Sequence, residues 1–319
     1  MSSGFIASLN AALGITAPIF ILVVLGIAVK RLRLINDFFI EAASKLVFTI
    51  GLPSLLFITI VKTRLDTLLN FKLIAVGLVS TAIIFIVLVL LSIAIIRQKR
   101  ERGIFVQGSF RGNMGIIGLA FCLNAYGDQG IAIASVYMAA LTILYNLLSV
   151  ITLTHTLSSN QRQLLGQIVV NVVKNPIVIS IILGFIVASI RVPIHPILME
   201  SGNYLAQMTL PLALLCIGGS INLRELRQSS FVSLITVLMK LILVPAASVA
   251  LALPFGFNQI EMGVVFLMAA APTATASYIM VQAMKGNGVL AANIIVLSTL
   301  GSVISGSLGI VILRGLDLI

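Results

Sequence analysis

The sequence predicts an all-α polytopic membrane protein, with ten transmembrane helices arranged as two inverted five-helix repeats. Three observations lead there. Of the 319 residues, 60% are hydrophobic and only 9% charged, whereas a soluble domain is about 25% charged. Long apolar runs separated by short polar breaks have the length of helical spans; the strands of a membrane barrel would be ~10 residues long and would alternate. Segments of the first half recur in the second at a nearly constant offset.

The predicted spans are 5–29, 38–61, 71–96, 103–125, 129–154, 168–190, 198–221, 230–253, 260–284 and 288–313. No basic residue precedes Lys30, and no small-residue cleavage site follows a short apolar stretch. The first segment therefore reads as a retained span and not as a signal peptide. Most of the remaining basic residues flank spans, as at Arg31, Lys62, Arg97 and Arg314. The stretch Leu157–Gly166 is the most polar break and divides the chain into repeats 1–158 and 159–319. At an offset of 158, Pro18-Ile19 matches Pro176-Ile177, Leu25-Gly26 matches Leu183-Gly184 and Leu52-Pro53 matches Leu210-Pro211. Gly127-Asp128 matches Gly286-Asn287 at 159. Five spans is an odd number, so the second half enters the membrane from the opposite side.

Orientation follows from the basic residues. Lys30, Arg31, Arg33, Arg97, Lys99, Arg100, Arg102, Arg162, Lys174, Arg224, Arg227 and Lys285 fall on one side of this topology, and Lys62, Arg64, Lys72, Arg191 and Arg314 on the other. Twelve against five places the first side in the cytoplasm of a cell with a plasma or inner membrane. Both termini are then outside. The net charge of +11 is accounted for by these flanks, and no nucleic-acid partner is expected. Cys122 and Cys216 lie in apolar runs and read as small buried hydrophobes. His155 and His195 sit at span ends without a Cys, Asp or Glu cluster, so no metal and no cofactor is expected.

Apart from Lys72 and Lys174 toward span starts, three basic residues fall inside spans: Lys45, Arg111 and Lys240. None of the nine acids is mid-span. A guanidinium near the bilayer centre costs a few kcal/mol and faces protein or water. Arg111 lies in Gly108-Ser-Phe-Arg-Gly-Asn-Met-Gly-Ile-Ile-Gly118, where glycines loosen the helix around Asn113 and Gly115. A second loosened segment, Ala269-Ala-Ala-Pro-Thr-Ala-Thr-Ala-Ser277, lies in the matching span of the other half. Pro272 removes a helical hydrogen bond there. Two interrupted helices at matching positions are the sequence pointer to a transporter's binding site. A site role is favoured for Arg111. Asn113 either lines the site or bonds between helices. Thr273, Thr275 and Ser277 either line the cavity or bond back to their own turn. Lys45 either reaches the site or snorkels to the interface. Lys240 either meets substrate or bonds carbonyls freed by a broken helix. A cation core without acids suits an anionic substrate and argues against a cation antiporter built on a central carboxylate. No phosphate loop, nucleophile elbow or metal-binding helix is present in the sequence, and no enzyme is expected.

Four motifs together resemble the auxin efflux carrier family across all ten spans. They are Lys45-Leu-Val-x4-Leu-Pro53, Arg111-Gly-Asn-Met-Gly-x2-Gly118, Lys240-Leu-Ile-Leu-Val-Pro245, and Ala271-Pro272 followed by small residues. The resemblance implies the fold of bile acid symporters and sodium/proton antiporters, in which helices 4 and 9 are broken and cross near the midplane. It implies a scaffold of helices 1, 2, 6 and 7 beside a moving bundle, and substrate bound at the crossover. Asn113 matches the crossover asparagine that contacts the auxin carboxylate in plant members, and Pro272 the proline of span 9. Leu56 and Ala140 stand where plant carriers place a serine and a glutamine, and Gly112 where they place a proline. Those departures favour a bacterial-type carrier of small carboxylates such as malate or malonate over auxin itself. The expected partners are a small organic anion, the lipid bilayer and, as an option, a second copy of the chain. The alternatives are a sodium-coupled symporter of the bile acid type, and a sensor or channel on the same scaffold.

Overall fold

The structure, a computed structural model, describes residues 2–62, 70–157, 176–190, 194–221 and 230–319. The predicted repeat boundary at 158/159 lies outside the described residues. The described chain is helical almost throughout; its one extended feature is an isolated antiparallel bridge between Gly112 and Thr273. In chain order the helices are α1 (Ser2–Arg31), α2 (Asp37–Lys62), α3 (Phe71–Ile95), α4 (Lys99–Phe110), α5 (Met114–Leu157), α6 (Pro176–Ile190), α7 (Pro196–Ser220), α8 (Phe231–Phe255), α9 (Gln259–Ala270), α10 (Ala276–Ala283) and α11 (Gly288–Gly315).

Polar residues start the helices where the apolar runs begin. Asn36, Asn70 and Asn287 each accept a hydrogen bond from the backbone N–H three residues on, at 2.8, 3.0 and 3.1 Å. Each such cap is worth about 1 kcal/mol. Asn258 and Glu261 close a reciprocal capping box at the start of α9, with bonds of 2.9 and 3.0 Å. The Asn70 amide donates to Glu261 at 2.6 Å and ties α3 to α9 at this end. At the other end of the molecule, Lys30 pairs with Asp37 across the α1–α2 turn.

Two prolines set local geometry. Pro53 and Pro245 have no N–H for the carbonyl four residues back. In both helices the chain widens just before the proline into a π-turn, Val47–Gly51 in α2 and Met239–Leu243 in α8. Gly127 has φ 59°, a conformation that glycine adopts without steric cost, and the chain leaves helical geometry there within α5.

Six described helical segments are long and apolar enough to cross a membrane: Asn10–Arg31, Asp37–Lys62, Phe71–Ile95, Met114–Leu157, Phe231–Phe255 and Gly288–Gly315. Ten separate spans are expected from the sequence, and the difference has local causes. The first turn of α4 carries Lys99, Arg100, Glu101 and Arg102, so the apolar continuation of that span is counted within α5. The predicted start of span six at 168 lies outside the described residues. Glu200, Asn203 and Gln207 lower the hydropathy of α7, and span nine is cut at Ala271 into α9 and α10. The chain is a multi-pass helical membrane protein. Ile21, Val24, Leu90, Ile93 and Ile304 turn apolar side chains outward, as a lipid-facing surface requires.

Two packing groups emerge. α1 packs on α7, and α2 packs on both α6 and α7. Separately, α4 packs on α3 and α5, and α9 on α5 and α8, while α11 touches both groups through α1 and α8. One apolar core including Phe105, Phe110, Phe121, Leu52 and Leu56 runs through both.

Candidate functional site

The helical chain is interrupted at Arg111–Asn113, between α4 and α5, and at Ala271–Thr275, between α9 and α10. A break in a helix frees backbone groups, and in lipid each one needs a partner. The two breaks supply one another. Asn113 N donates to Pro272 O at 2.6 Å, and Ala274 N donates to Arg111 O at 3.0 Å. The Thr273 hydroxyl donates to Gly108 O at 2.7 Å, and Thr273 N donates to the Ser298 hydroxyl at 3.1 Å. The ammonium of Lys240 donates to Ala269 O at 2.9 Å.

Gly112 allows this contact. A Cβ there would stand 3.0 Å from Lys240 Nζ and 3.3 Å from Ala271 O. We predict that Thr273→Val, which leaves Gly108 O without its donor, lowers stability by about 1–3 kcal/mol. Thermal unfolding in detergent measures it, and an unchanged midpoint would show that Gly108 O finds another partner.

A cavity of about 580 Å³ borders the first break. Its lining includes Arg111, Asn113 and Thr275 from the two breaks, Gly115, Thr142 and Asn146 from α5, and Phe48 and Thr49 from α2. Arg111 is buried, at 9% exposure. Its two terminal nitrogens donate to Asn146 Oδ1 at 2.8 Å and to Met280 Sδ at 2.8 Å. Among the described residues no carboxylate lies within ion-pair distance of it. A guanidinium has five N–H donors in a planar fork, so this one retains donors and an uncompensated charge beside an open cavity.

The structure thus brings Arg111, Asn113, Gly115 and Thr275 to one cavity wall. The other residues singled out from the sequence stand elsewhere. Lys45 is exposed on α2, Pro272 and Thr273 are buried within the bridge, and Lys240 is fully buried behind it. Ser277 is buried, and its hydroxyl has no partner among the described residues. Thr273 neither lines the cavity nor bonds back to its own turn; it bonds across to the other break. Sequence reasoning missed Asn146 and Met280, the two partners of Arg111. Asn146 is a lone amide in an apolar stretch of α5, which is the signal that would have pointed to it.

A second cavity, of about 460 Å³, lies further along α2, lined by Leu55, Lys62, Asn124, Asp128, Asn203 and Gln207 among others. Thr49 lines the first cavity and Leu55 the second, about 9 Å apart along the helix. Between them Leu52 is fully buried. On α5 the same order recurs: Met114 and Gly115 line the first cavity, Ala120 and Asn124 the second, and Ile117 and Leu119 between them are fully buried.

A multi-pass helical protein with two joined helix breaks and a buried cation beside a cavity falls in the class of membrane transporters. The chain belongs to the membrane transport protein family, whose model matches residues 12–310, and is of the auxin efflux carrier type. It is similar to an uncharacterized transporter of the archaeon Methanocaldococcus jannaschii. The two are 25% identical over 262 residues, covering 80% of this chain and 84% of that protein.

Proposed function

We propose that this protein is a secondary transporter of a small organic anion, a carboxylate by preference, working by alternating access. Arg111 carries the reading: a buried guanidinium without a carboxylate partner among the described residues, lining a cavity beside the joined helix breaks. Its fork receives one carboxylate in a bidentate manner. Asn113, Thr275 and Asn146 supply neutral polar groups around it, and the positive ends of α5 and α10 begin at the same place. Gly115 leaves room on the cavity wall.

The broken helices are the crossing helices 4 and 9 of two inverted five-helix repeats, 1–158 and 159–319. The group α1, α2, α6 and α7 is the scaffold against which the rest moves. Two cavities in series, with the buried Leu52 between them on α2, support this: closing one and opening the other moves the site between membrane faces without a continuous pore. The first cavity faces the cytoplasm. Saturable counterflow of a labelled dicarboxylate in proteoliposomes tests the reading, and non-saturating flux that ignores unlabelled anion on the far side would replace it with a channel.

The topology has its own test. With both termini outside, the Leu157–Gly166 stretch is cytoplasmic. The native thiols Cys122 and Cys216 are buried, so an introduced cysteine reports cleanly. In intact cells Ser159→Cys escapes an impermeant maleimide and reacts after permeabilisation; labelling before permeabilisation would invert the topology.

A further inference from the structure

Lys240 is a fully buried ammonium in a chain whose membrane-embedded part is otherwise almost free of charge. Among the described residues no carboxylate pairs with it. Its recorded partner is a backbone carbonyl, Ala269 O, at 2.9 Å. That carbonyl is available for a specific reason. In an unbroken helix it would accept from the N–H of residue 273, but Thr273 N donates instead to the Ser298 hydroxyl at 3.1 Å. The preceding carbonyl, Met268 O, is freed by Pro272, which has no N–H to offer. Ala271 O and Met268 O lie 3.3 and 3.4 Å from the point where a Cβ on Gly112 would stand, and Lys240 Nζ lies 3.0 Å from that same point. The ammonium therefore donates to Ala269 O at the negative end of α9, with Ala271 O and Met268 O bordering the same point beside Gly112. Unwound carbonyls and the C-terminal end of a half-helix are the groups with which a transporter holds a coupling cation.

We propose that Lys240 is a resident cation: its ammonium, tethered to α8, permanently occupies the carbonyl cluster at the break of α9 that would otherwise take a free monovalent cation. The π-turn Met239–Leu243 ahead of Pro245 carries Lys240 at this position. Gly112 makes room for it, since a Cβ there would stand 3.0 Å from the ammonium and press on it. The proposal rests on the transporter reading for its consequence, which is that the carrier completes its bridge without borrowing an ion from solution. It rests on geometry alone for its existence.

The test uses purified full-length protein and no substrate, so its failure and a failure of the anion reading are separable. Lys240→Ala removes the stem beyond Cβ, a shape that n-propylammonium matches. Wild-type melting temperature should be the same in sodium, potassium and choline chloride at equal ionic strength. Lys240→Ala should melt well below wild type, and n-propylammonium should restore most of the loss while n-propanol should not. Lys240→Met keeps the volume of the stem without the charge, and it should also melt lower, because the carbonyls lose their donor. Equal rescue by the neutral alcohol, or no rescue by the amine, would overturn the proposal. Should the alanine variant fail to accumulate, Lys240→Met decides alone: a midpoint equal to wild type means that the cluster needs no cation, and a lowered one supports the proposal.

Discussion

If the proposed function holds, Arg111→Ala should abolish carboxylate transport while leaving the protein folded. The guanidinium has no acid to release among the described residues, so its loss leaves no buried carboxylate unpaired. What is lost is the charge-assisted fork at the cavity wall. Truncating one partner of a buried hydrogen-bonded charge pair costs about 2–5 kcal/mol, so anion affinity should fall by roughly 30-fold or more. Arg111→Lys keeps the charge but not the planar fork, and it should restore binding poorly. Size-exclusion profiles establish folding, and equilibrium binding of a labelled dicarboxylate establishes affinity. An alanine variant with wild-type affinity would remove Arg111 from the site.

The second large effect concerns driving force. No acid lies mid-span in the predicted topology and none lines the Arg111 cavity, Asp128 standing in the second cavity, to carry a proton or complete a sodium site beside the substrate, and in our proposal the ammonium of Lys240 occupies the carbonyl cluster. Transport should then follow the substrate gradient and the membrane potential. An exported anion moves toward the positive side, and each charge gains about 2.3 kcal/mol at 100 mV. Efflux from proteoliposomes should proceed at full rate without sodium, and should accelerate when a potassium–valinomycin potential is imposed positive outside. Transport that stops without sodium and returns with it would favour a symporter of the bile acid type.

The parts of this molecule legible in sequence were those carried by one residue or one short run. The basic flanks, the prolines and the glycines around Arg111 locate the helix ends and both interruptions, because each acts through the local backbone. Partnerships across the fold were not legible. Arg111 meets Asn146 and Met280, 35 and 169 residues away in the chain. Thr273 carries no local sign that its hydroxyl will cap Gly108 O, 165 residues earlier. Lys45 and Lys240 look alike as basic residues inside apolar runs, yet one is exposed on α2 and the other is fully buried. Composition gives each the same cost, and only the tertiary neighbours decide whether the ammonium stays exposed or meets a carbonyl. The chain's break at Gly127 and the polar side chains of α7 similarly blur the division into spans, since hydropathy measures a run of residues and not the helix that it forms.

In the proposed function the Arg111 cavity takes a carboxylate because of its charge. The most direct test is a thermal shift of the purified wild-type protein with a small dicarboxylate and with its dimethyl ester, which keeps the carbon skeleton and removes the charge. A ligand stabilises the state that it binds, by about 2.7 kcal/mol at a hundredfold excess over Kd. The dicarboxylate should raise the melting temperature in a saturable manner, the ester should not, and Arg111→Ala should respond to neither. Equal stabilisation by acid and ester, or a response to the acid that survives in Arg111→Ala, would contradict the account.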